Sequence, residues 1–264
     1  NAIHSATRQK SRLVGVHAWA VDVPNNKVVI TVAPGYSMRA VDFIAASSID
    51  PSMIRFELSP YEAPTPFLNV GGGLEYLSGA ATCSIGFSVT YGAIKGFVTA
   101  GHCGGVGTQV RLAGTLVGSV AAQAYPGNDM AAATVRSTDT LYGLVTRYNG
   151  TYQQVFGSAV APLGAVVCRS GRTTGWRCGY ILSYNNTVNY GQGNVYGLTR
   201  SSACAGRGDS GGSWITPSGQ AQGVMSGGSL PAGQNTNCGV ASPVSWFQPI
   251  NPILSRWSLA LVRG

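Results

Sequence analysis

The run Gly206-Arg207-Gly208-Asp209-Ser210-Gly211-Gly212-Ser213 is the most informative stretch of this 264-residue sequence. Its glycines allow a tight turn with backbone dihedrals that are closed to other residues. Such a turn directs the N–H groups of Gly208 and Ser210 toward one point, where an oxyanion formed by attack on a carbonyl would lie. The run therefore predicts a nucleophilic Ser210 and an oxyanion hole. A plain surface turn is the alternative, because Gly, Asp and Ser are common turn residues.

A second run, Thr99-Ala100-Gly101-His102-Cys103, offers the general base that a serine hydroxyl requires at neutral pH. The chain has two other histidines, His4 in a polar segment and His17 in a predicted strand, and both are expected to be ordinary surface or core residues. His102 differs because an apolar strand leads directly to it and Cys103 follows it. The sequence therefore assigns the role of base to His102.

The third member of such a site is a carboxylate that holds the imidazole in the correct tautomer. After residue 67 the acidic residues are Glu75, Asp129, Asp139 and Asp209. Asp209 belongs to the turn of the nucleophile, and Asp139 lies in a polar loop where a solvated carboxylate is expected. Asp129 stands between a Pro-Gly-Asn turn and an apolar run, a junction at which a scaffold presents functional side chains. Asp129 is therefore predicted to orient His102.

These residues resemble the secreted bacterial branch of the chymotrypsin-like serine peptidases, specifically the α-lytic protease group. The likeness covers residues 68–264, and its longest runs are 96–103, 168–175, 206–215 and 219–228. It implies a mainly β fold of two six-stranded antiparallel β-barrels with the active site between them. It also implies that His102, Asp129 and Ser210 form a catalytic triad and that no metal or organic cofactor is needed.

The sequence is compatible with such a fold, because short apolar segments alternate with glycine-rich turns. The predicted strands include residues 95–99, 109–112, 130–135 and 222–225, and a helical pattern occurs near residues 246–261.

Six cysteines form an even set, which favours three disulfides and an oxidising compartment. Spacing alone leaves the pairing open, and a zinc site is disfavoured because no paired Cys-x-x-Cys units occur. The resemblance implies the pairs Cys83–Cys103, Cys168–Cys178 and Cys204–Cys238. The first would tether the loop of His102, and the third would clamp the loop of Ser210.

Residues 1–67 differ in character and predict a small α/β unit. Two alternating segments, 14–23 and 27–33, flank Pro24-Asn25-Asn26 and predict a hairpin. Helical spacing follows at 37–46, a further strand is predicted at 54–58, and a linker with prolines at positions 60, 64 and 66 ends the unit.

Two interpretations of residues 1–67 are open, of which one is an independent partner-binding domain. The resemblance, which is looser here, favours the C-terminal part of a pro region that assists folding and then inhibits residues 68–264. It places the processing site between Phe67 and Leu68. It also implies an ion pair between Arg169 and Asp209 that would make the oxyanion hole independent of cleavage. Inhibition would then be occlusion of the cleft.

The resemblance also locates the pocket for P1, the residue before the scissile bond. Its expected lining is Ala205, Met225, Ser226, Gly227 and Gly228. Trypsin-like members carry an Asp six residues before the serine, where this chain has Cys204, so a basic P1 residue is not expected. Ala205 stands where the α-lytic pattern has a Met. This replacement predicts a larger pocket for Leu, Met or Phe, and Phe67 at the processing site agrees with it.

The formal net charge of +8 lies mostly in residues 68–264, which hold eleven Lys and Arg residues against four Asp and Glu. A basic surface favours anionic targets such as bacterial cell walls. Solubility of a secreted enzyme is the simpler interpretation, and no specific nucleic-acid motif accompanies the charge. No apolar run is long enough for a membrane span.

The sequence thus predicts a secreted, monomeric serine endopeptidase that acts on polypeptides and is made as a proenzyme. One alternative is a bacteriolytic peptidase that cuts cell-wall peptides. Another is a non-catalytic binding protein on the same scaffold, and a third is a complex in which residues 1–67 stay bound.

Overall fold

The computed structural model describes residues 15–36, 41, 50–60 and 68–264. Contacts within the chain divide it into two compact units, Asn1–Pro66 and Phe67–Gly264. Several predicted features lie outside the described residues: His4, the helix over 37–46 apart from Val41, the linker after Pro60, and Phe67.

The first unit contains a three-stranded sheet in the order β1–β2–β3. Its strands are β1 (Val16–Asp22), β2 (Lys27–Val32) and β3 (Ile54–Leu58). The first two form the predicted antiparallel hairpin, and β3 lies parallel to β2 as a third strand. Ile30 and Val32 are buried beneath Trp19 and Ile54 because the apolar residues of β2 alternate with outward-facing ones.

The first half of the second unit is built from short strands. In chain order they are β4 (Asn69–Gly72), β5 (Glu75–Ser78), β6 (Ala81–Ser84), β7 (Phe87–Tyr91), β8 (Ile94–Thr99), β9 (Gln109–Leu112), β10 (Thr115–Ala124), β11 (Met130–Thr134), β12 (Thr140–Thr146) and β13 (Tyr152–Gln154). The second half contains β14 (Val166–Gly171), β15 (Gly175–Asn189), β16 (Asn194–Ser201), β17 (Ser213–Ile215), β18 (Ala221–Gly228), β19 (Ser245–Pro249), the helix α1 (Ile250–Arg256) and β20 (Ala260–Leu261).

The second half contains a closed six-stranded barrel in the order β14–β15–β16–β19–β18–β17, in which every pairing is antiparallel. The first half departs from the expected second barrel of six strands. It contains an eight-stranded sheet, β20–β7–β8–β11–β10–β9–β5–β6, and a separate sheet, β13–β12–β4. The difference arises because β20 returns from the C-terminus to β7 and because β4 pairs in parallel with β12.

The strands predicted at 95–99, 109–112, 130–135 and 222–225 coincide with β8, β9, β11 and β18. The helical pattern over 246–261 is only partly realised. Residues 245–249 form β19 instead, because this segment hydrogen-bonds between β16 and β18 and packs the Phe247 ring on Trp214 at 4.7 Å. Here tertiary pairing overrides the local helical spacing.

The two halves of the second unit share a buried cluster that includes Val98 of β8 and Val224 of β18. Packing of these strands brings the end of β8 close to the loop before β17. The two predicted catalytic runs lie in these two places. Among the described residues, no helix is long and apolar enough to cross a membrane.

Candidate active site

His102 lies in a short 3-10 helix, Gly101–Cys103, directly after β8. The disulfide between Cys103 and Cys83 ties this helix to β6. A Cβ atom on Gly101 would lie 2.8 Å from the carbonyl oxygen of Ala124 and 2.9 Å from the amide nitrogen of Met130. Glycine is therefore required here, and the close approach fixes the backbone of His102 against β10 and β11.

Asp129 is the acid that the structure brings to His102, as the junction before β11 predicted. Its Oδ2 lies 2.9 Å from Nδ1 of the imidazole, and its Oδ1 accepts the backbone N–H of His102 at 3.0 Å. The Asp129 side chain is fully buried, whereas that of His102 is 27% exposed. A buried carboxylate at Nδ1 fixes the tautomer in which Nε2 is free to accept a proton.

Ser226 supplies a further donor to this carboxylate, because its Oγ donates to Oδ2 of Asp129 at 2.6 Å. The hydroxyl of Tyr190 lies 3.1 Å from Oγ of Ser226. Burial raises the pKa of Tyr190 well above its ordinary value, so its hydroxyl stays protonated. A chain of donors thus runs from Tyr190 through Ser226 to Asp129. The sequence indicated Ser226 only as part of the substrate-binding strand, and its contact with Asp129 appears only in the fold.

The environment of His102 favours its protonated form. Burial alone disfavours the charge, but attraction to Asp129 and the hydrogen bond with it outweigh burial and raise the pKa of His102 above its ordinary value. An imidazole of raised pKa is a stronger base toward a serine hydroxyl, provided that the pH lies above that pKa.

Ser210 and His102 line the same cavity, which has a volume of about 490 Å³. Among the described residues no direct hydrogen bond joins Nε2 of His102 to Oγ of Ser210. Such bonds are often long in the free enzyme and shorten when substrate binds. The cavity therefore brings together the three predicted members of the triad, with Asp129 behind His102 and Ser210 in front.

The predicted oxyanion amides lie in a turn whose peptide planes are fixed from behind. Gly208 has φ +94°, a conformation that favours glycine. The carbonyl of Arg207 accepts the Thr173 hydroxyl at 2.7 Å, and the carbonyl of Asp209 accepts the N–H of Gly212 at 3.0 Å. A carbonyl and the next N–H share one planar peptide and point in opposite directions. These two contacts therefore orient the N–H groups of Gly208 and Ser210.

Neither of these two N–H groups donates to a protein acceptor within the part of the chain that the structure describes. Ser84 at the end of β6 holds the same turn. Its Oγ donates to the carbonyl of Gly208 at 2.9 Å, and its N–H donates to the carbonyl of Ser210 at 2.8 Å. Sequence reasoning missed Ser84 and Thr173, and only the proximity of Thr173 to Arg169 in the run 168–175 pointed toward this region.

Asp209 and Arg169 form the ion pair that the resemblance implied. Nη1 of Arg169 lies 3.2 Å from Oδ2 of Asp209, and both side chains are almost fully buried. Burial lowers the pKa of Arg169 to about 10, although attraction to Asp209 opposes this shift. The Asp209 carboxylate also accepts N–H groups from Thr173, Thr174 and Gly206 at 2.7–3.1 Å. The acid beside the nucleophile is thus neutralised within the second half of the unit.

The structure joins the three expected cysteine pairs, Cys83–Cys103, Cys168–Cys178 and Cys204–Cys238. The third pair lies beside the predicted P1 pocket. Asn237, next to Cys238, accepts the N–H of Ala205 on its Oδ1 at 2.7 Å and donates its own N–H to the carbonyl of Ala205 at 3.0 Å. One wall of the pocket is therefore fixed by a disulfide and two hydrogen bonds.

All five predicted pocket residues line the same cavity as Ser210. They are Ala205, Met225, Ser226, Gly227 and Gly228. Ala205 is 1% exposed and contributes a methyl group to the wall of this cavity. Among the described residues that line this cavity none is acidic.

Asp139 differs from expectation, since the sequence predicted a solvated carboxylate. It is fully buried and lies 2.6 Å from Nη2 of Arg136. The loop folds inward because Thr140 begins β12, which pairs with β4, and this pairing draws Asp139 beneath Leu68.

Comparison with known proteins accounts for most of the chain. Residues 71–250 match the sequence profile of the trypsin family. The chain belongs to the trypsin family of serine proteases. Residues 2–51 match the profile of the alpha-lytic protease prodomain, so a prodomain precedes the trypsin-family domain. Both matches confirm the resemblance to the α-lytic protease group and the chymotrypsin-like fold.

Individual trypsin-family relatives show the same two-part similarity. Streptogrisin-C of Streptomyces griseus is 42% identical over 253 residues, which cover 94% of this chain and 52% of that protein. Serine protease 1 of Rarobacter faecitabidus is 36% identical over 259 residues, or 96% of this chain and 45% of that protein. The chain thus spans about half the length of both relatives.

The solved structure of Thermobifida fusca Protease A is 50% identical to this trypsin-family chain. The TM-score is 0.67, and the match covers 74% of this chain and all of the other.

Proposed function

We propose that the chain is a serine endopeptidase that hydrolyses peptide bonds through an acyl-enzyme. The observation that carries this proposal is the buried carboxylate of Asp129, which lies 2.9 Å from Nδ1 of His102, and His102 lines the same cavity as Ser210. Membership of the trypsin family supports it. In this proposal Ser210 is the nucleophile, His102 the general base and acid, and Asp129 the orienting carboxylate.

The residues then act in two half-reactions. Oγ of Ser210 attacks the substrate carbonyl carbon while Nε2 of His102 takes its proton, and Asp129 stabilises the imidazolium. The carbonyl oxygen becomes negative and accepts the N–H groups of Gly208 and Ser210. The C–N bond breaks as His102 returns the proton to the leaving amine. Water then attacks the acyl group by the same route and releases the acid and free Ser210.

The cavity supports a preference for apolar P1 residues that includes large ones. A cationic P1 side chain would enter a pocket in which no described lining residue is acidic, and its desolvation would be uncompensated. The small methyl group of Ala205 leaves room for Leu, Met or Phe. Ser226, Gly227 and Gly228 would bind the substrate backbone as an added strand.

Residues 1–67 would serve as a folding assistant and then as an inhibitor, separated by cleavage between Phe67 and Leu68. The match of residues 2–51 to an alpha-lytic protease prodomain supports this role. The enzyme would act outside the cell as a monomer on polypeptides, since three disulfides persist best in an oxidising compartment. The bacteriolytic alternative is not favoured, because the relatives named above are named as a streptogrisin, a serine protease and a protease.

Initial rates on peptide anilides that differ only at P1 test the function. Cleavage after Leu, Met or Phe should be fast, cleavage after Lys negligible, and Ser210→Ala should abolish all of it. Fast cleavage confined to Ala and Val would refute the large pocket but keep the peptidase. No cleavage by processed enzyme would favour a binding protein on this scaffold.

A further inference from the structure

The start of β4 holds the backbone nitrogen of Leu68 in a defined position. The carbonyl of Leu68 accepts the N–H of Thr140 at 2.9 Å, and β4 continues in parallel register with β12. The Leu68 side chain packs against the core of the first half. The N–H of Leu68 donates to Oδ1 of Asp139 at 3.4 Å. Contacts with residues 139–141 thus hold this nitrogen at the start of β4.

Asp139 has capacity for a second cationic partner. Arg136 contacts its carboxylate through Nη2 at 2.6 Å and through Nε at 3.1 Å. Nε of Arg136 also lies 3.2 Å from Oδ1 of Asp139, so the guanidinium makes three contacts with the carboxylate. A carboxylate has about four acceptor positions, and the N–H of Leu68 has the one that remains. Lys95 approaches from β8, but its Nζ donates to the carbonyls of Ser137 and Asp139 at 2.6 and 2.7 Å.

Two further charged side chains line the surface groove at Leu68, namely Glu75 and Arg111. Glu75 is half-exposed and forms an ion pair with Arg172 at 2.5 Å. Asp139 is therefore the buried anion that contacts the Leu68 nitrogen. Glu75 is half-exposed, and its charge is already paired with that of Arg172.

We propose that Asp139 is the receptor for the α-ammonium group of Leu68 that cleavage of the Phe67–Leu68 bond creates. This inference rests on the processing site proposed above. Hydrolysis breaks the C–N bond, adds the water oxygen to the Phe67 carbonyl carbon, and leaves an amine on Leu68. The amine gains the proton that the new carboxylic acid loses. An amide hydrogen bond thereby becomes a charge-assisted pair, which is shorter and stronger.

This pair would lie in the first half of the unit, away from the nucleophile. Asp209 already has Arg169 as its buried partner. The new N-terminus would therefore strengthen the attachment of β4 after processing, and it would leave the oxyanion turn as it was. Arg136 and Lys95 oppose a second positive charge, but attraction at contact distance exceeds their repulsion because Coulomb energy falls with distance.

The test is the titration of the Leu68 α-amine in processed enzyme. Trace labelling with an acylating reagent across a pH series gives its midpoint, and mass spectrometry identifies the labelled N-terminal peptide. The free peptide Leu-Asn-Val-Gly-Gly is the reference. We expect a midpoint higher than in the peptide by about one pH unit, which means about tenfold less free amine at a given pH. Lys95, the one lysine of residues 68–264, reports whether the fold is intact.

Three variants complete the design. Asp139→Asn should remove the rise in the midpoint, whereas Glu75→Gln, which deletes another carboxylate of the same groove, should keep most of it. Arg136→Gln should move the midpoint further upward, because Asp139 loses its competing cation, and this variant is informative even if Asp139→Asn fails to fold. Activity on peptide substrates should stay unchanged in Glu75→Gln and Asp139→Asn.

A midpoint at or below that of the free peptide would overturn the proposal, and so would an equal fall in Asp139→Asn and Glu75→Gln. An intact mass that begins at another residue would refute the processing site and this inference with it. Loss of peptidase activity in the unmutated enzyme would instead count against the proposed function, so the failures are separable.

Discussion

At the level of single residues, the two carboxylate oxygens of Asp129 make different contacts. Its Oδ1 holds the backbone of His102, while its Oδ2 lies at Nδ1 and accepts the Ser226 hydroxyl. Because the carboxylate is fully buried, solvent screens its charge weakly, and its electrostatic interaction with the imidazole is strong. The raised pKa of His102 follows from this arrangement. In the proposed mechanism this pKa would set the acid limit of activity.

Ser226→Ala should move the acid limb of the kcat/KM profile to higher pH. His102 must be neutral to accept a proton, so activity falls as the pH drops through its raised pKa. Without the donor at 2.6 Å, the Asp129 carboxylate interacts more strongly with the imidazolium, and the pKa of His102 rises by about half a unit. Rates of hydrolysis of an apolar anilide, measured between about pH 5 and 10, locate the acid limb, because this range includes the one in which histidine titrates.

Ser255→Ala on α1 is the matched control and should leave the acid limb in place. A limb that moves to lower pH in Ser226→Ala would contradict the proposed hydrogen-bonding role of Ser226.

Thr173→Val should lower kcat by about tenfold with little change in KM. Its hydroxyl holds the carbonyl of Arg207, and the same peptide carries the N–H of Gly208. Loss of one complete oxyanion donor costs about 100- to 1,000-fold, and a loosened donor should cost less. Thr173→Ser keeps the hydroxyl and should restore kcat. Steady-state kinetics measures kcat and KM of both variants, and Thr187→Val, at an exposed position, is the control. A change in KM alone would refute a role of Thr173 in stabilising the transition state.

The residues of the proposed triad could be selected from the sequence because each stands in a local pattern: a glycine turn, a strand that ends at a histidine, and a junction before an apolar run. The supporting side chains were not. Ser84 and Thr173 lie 124 and 34 residues from the carbonyls that they hold, and no local pattern encodes such contacts. Asp139 was judged from a polar loop, and its burial depends on a parallel pairing with a strand about 70 residues away.

At the scale of elements, the loop between β16 and β17 is held by β14 and the turn that follows it. Arg169 of β14 donates through Nε to the carbonyl of Cys204 at 2.5 Å, and the next turn supplies N–H groups to Asp209. The β-strand therefore acts as a rigid support for the loop that carries Ser210.

Arg169→Ala should destabilise the protein and lower its activity. Removing one member of a buried ion pair leaves the other as an uncompensated charge, which costs about 3–5 kcal/mol. Asp209 would then relax and disturb the amides of Gly208 and Ser210. Denaturant unfolding measures the free energy of unfolding, and anilide hydrolysis measures the catalytic rate. Arg177→Ala, which removes an exposed arginine from β15, should change neither by much. Full activity in Arg169→Ala would contradict the support role.

Strand positions were predictable where apolar residues alternate within one segment, as in β8, β9 and β18. Closure was not, because it depends on which distant edges meet. The resemblance to a two-barrel family gave a six-stranded expectation for both halves. The first half instead adds β20 from the far end of the chain and diverts β4 to β12. The same distance effect turned residues 245–249 from helix to strand.

At the scale of the whole molecule, the topology implies a high barrier to folding of residues 68–264. β14 pairs with β17 across more than 40 residues, and β20 pairs with β7 across about 170. Such pairings must lose the entropy of long loops before their contacts form. A folding assistant for this domain therefore has a physical purpose, which agrees with the prodomain match over residues 2–51.

Residues 1–67 added in trans should accelerate refolding of residues 68–264 by at least about tenfold, because they would lower the barrier set by these long-range pairings. The domain, with its disulfides intact, is unfolded in denaturant and diluted with or without the separate segment. Far-UV circular dichroism follows refolding in Ser210→Ala, which removes self-cleavage. In the unmutated domain, recovery of activity follows refolding. An excess of residues 1–67 added to the refolded domain should reduce its rate of anilide hydrolysis. A segment of the same composition in shuffled order controls for crowding and charge. Equal refolding rates with residues 1–67 and with the shuffled segment would refute the role as a folding assistant. Faster refolding with no reduction of the anilide rate would refute the role as an inhibitor and leave the assistant role in place.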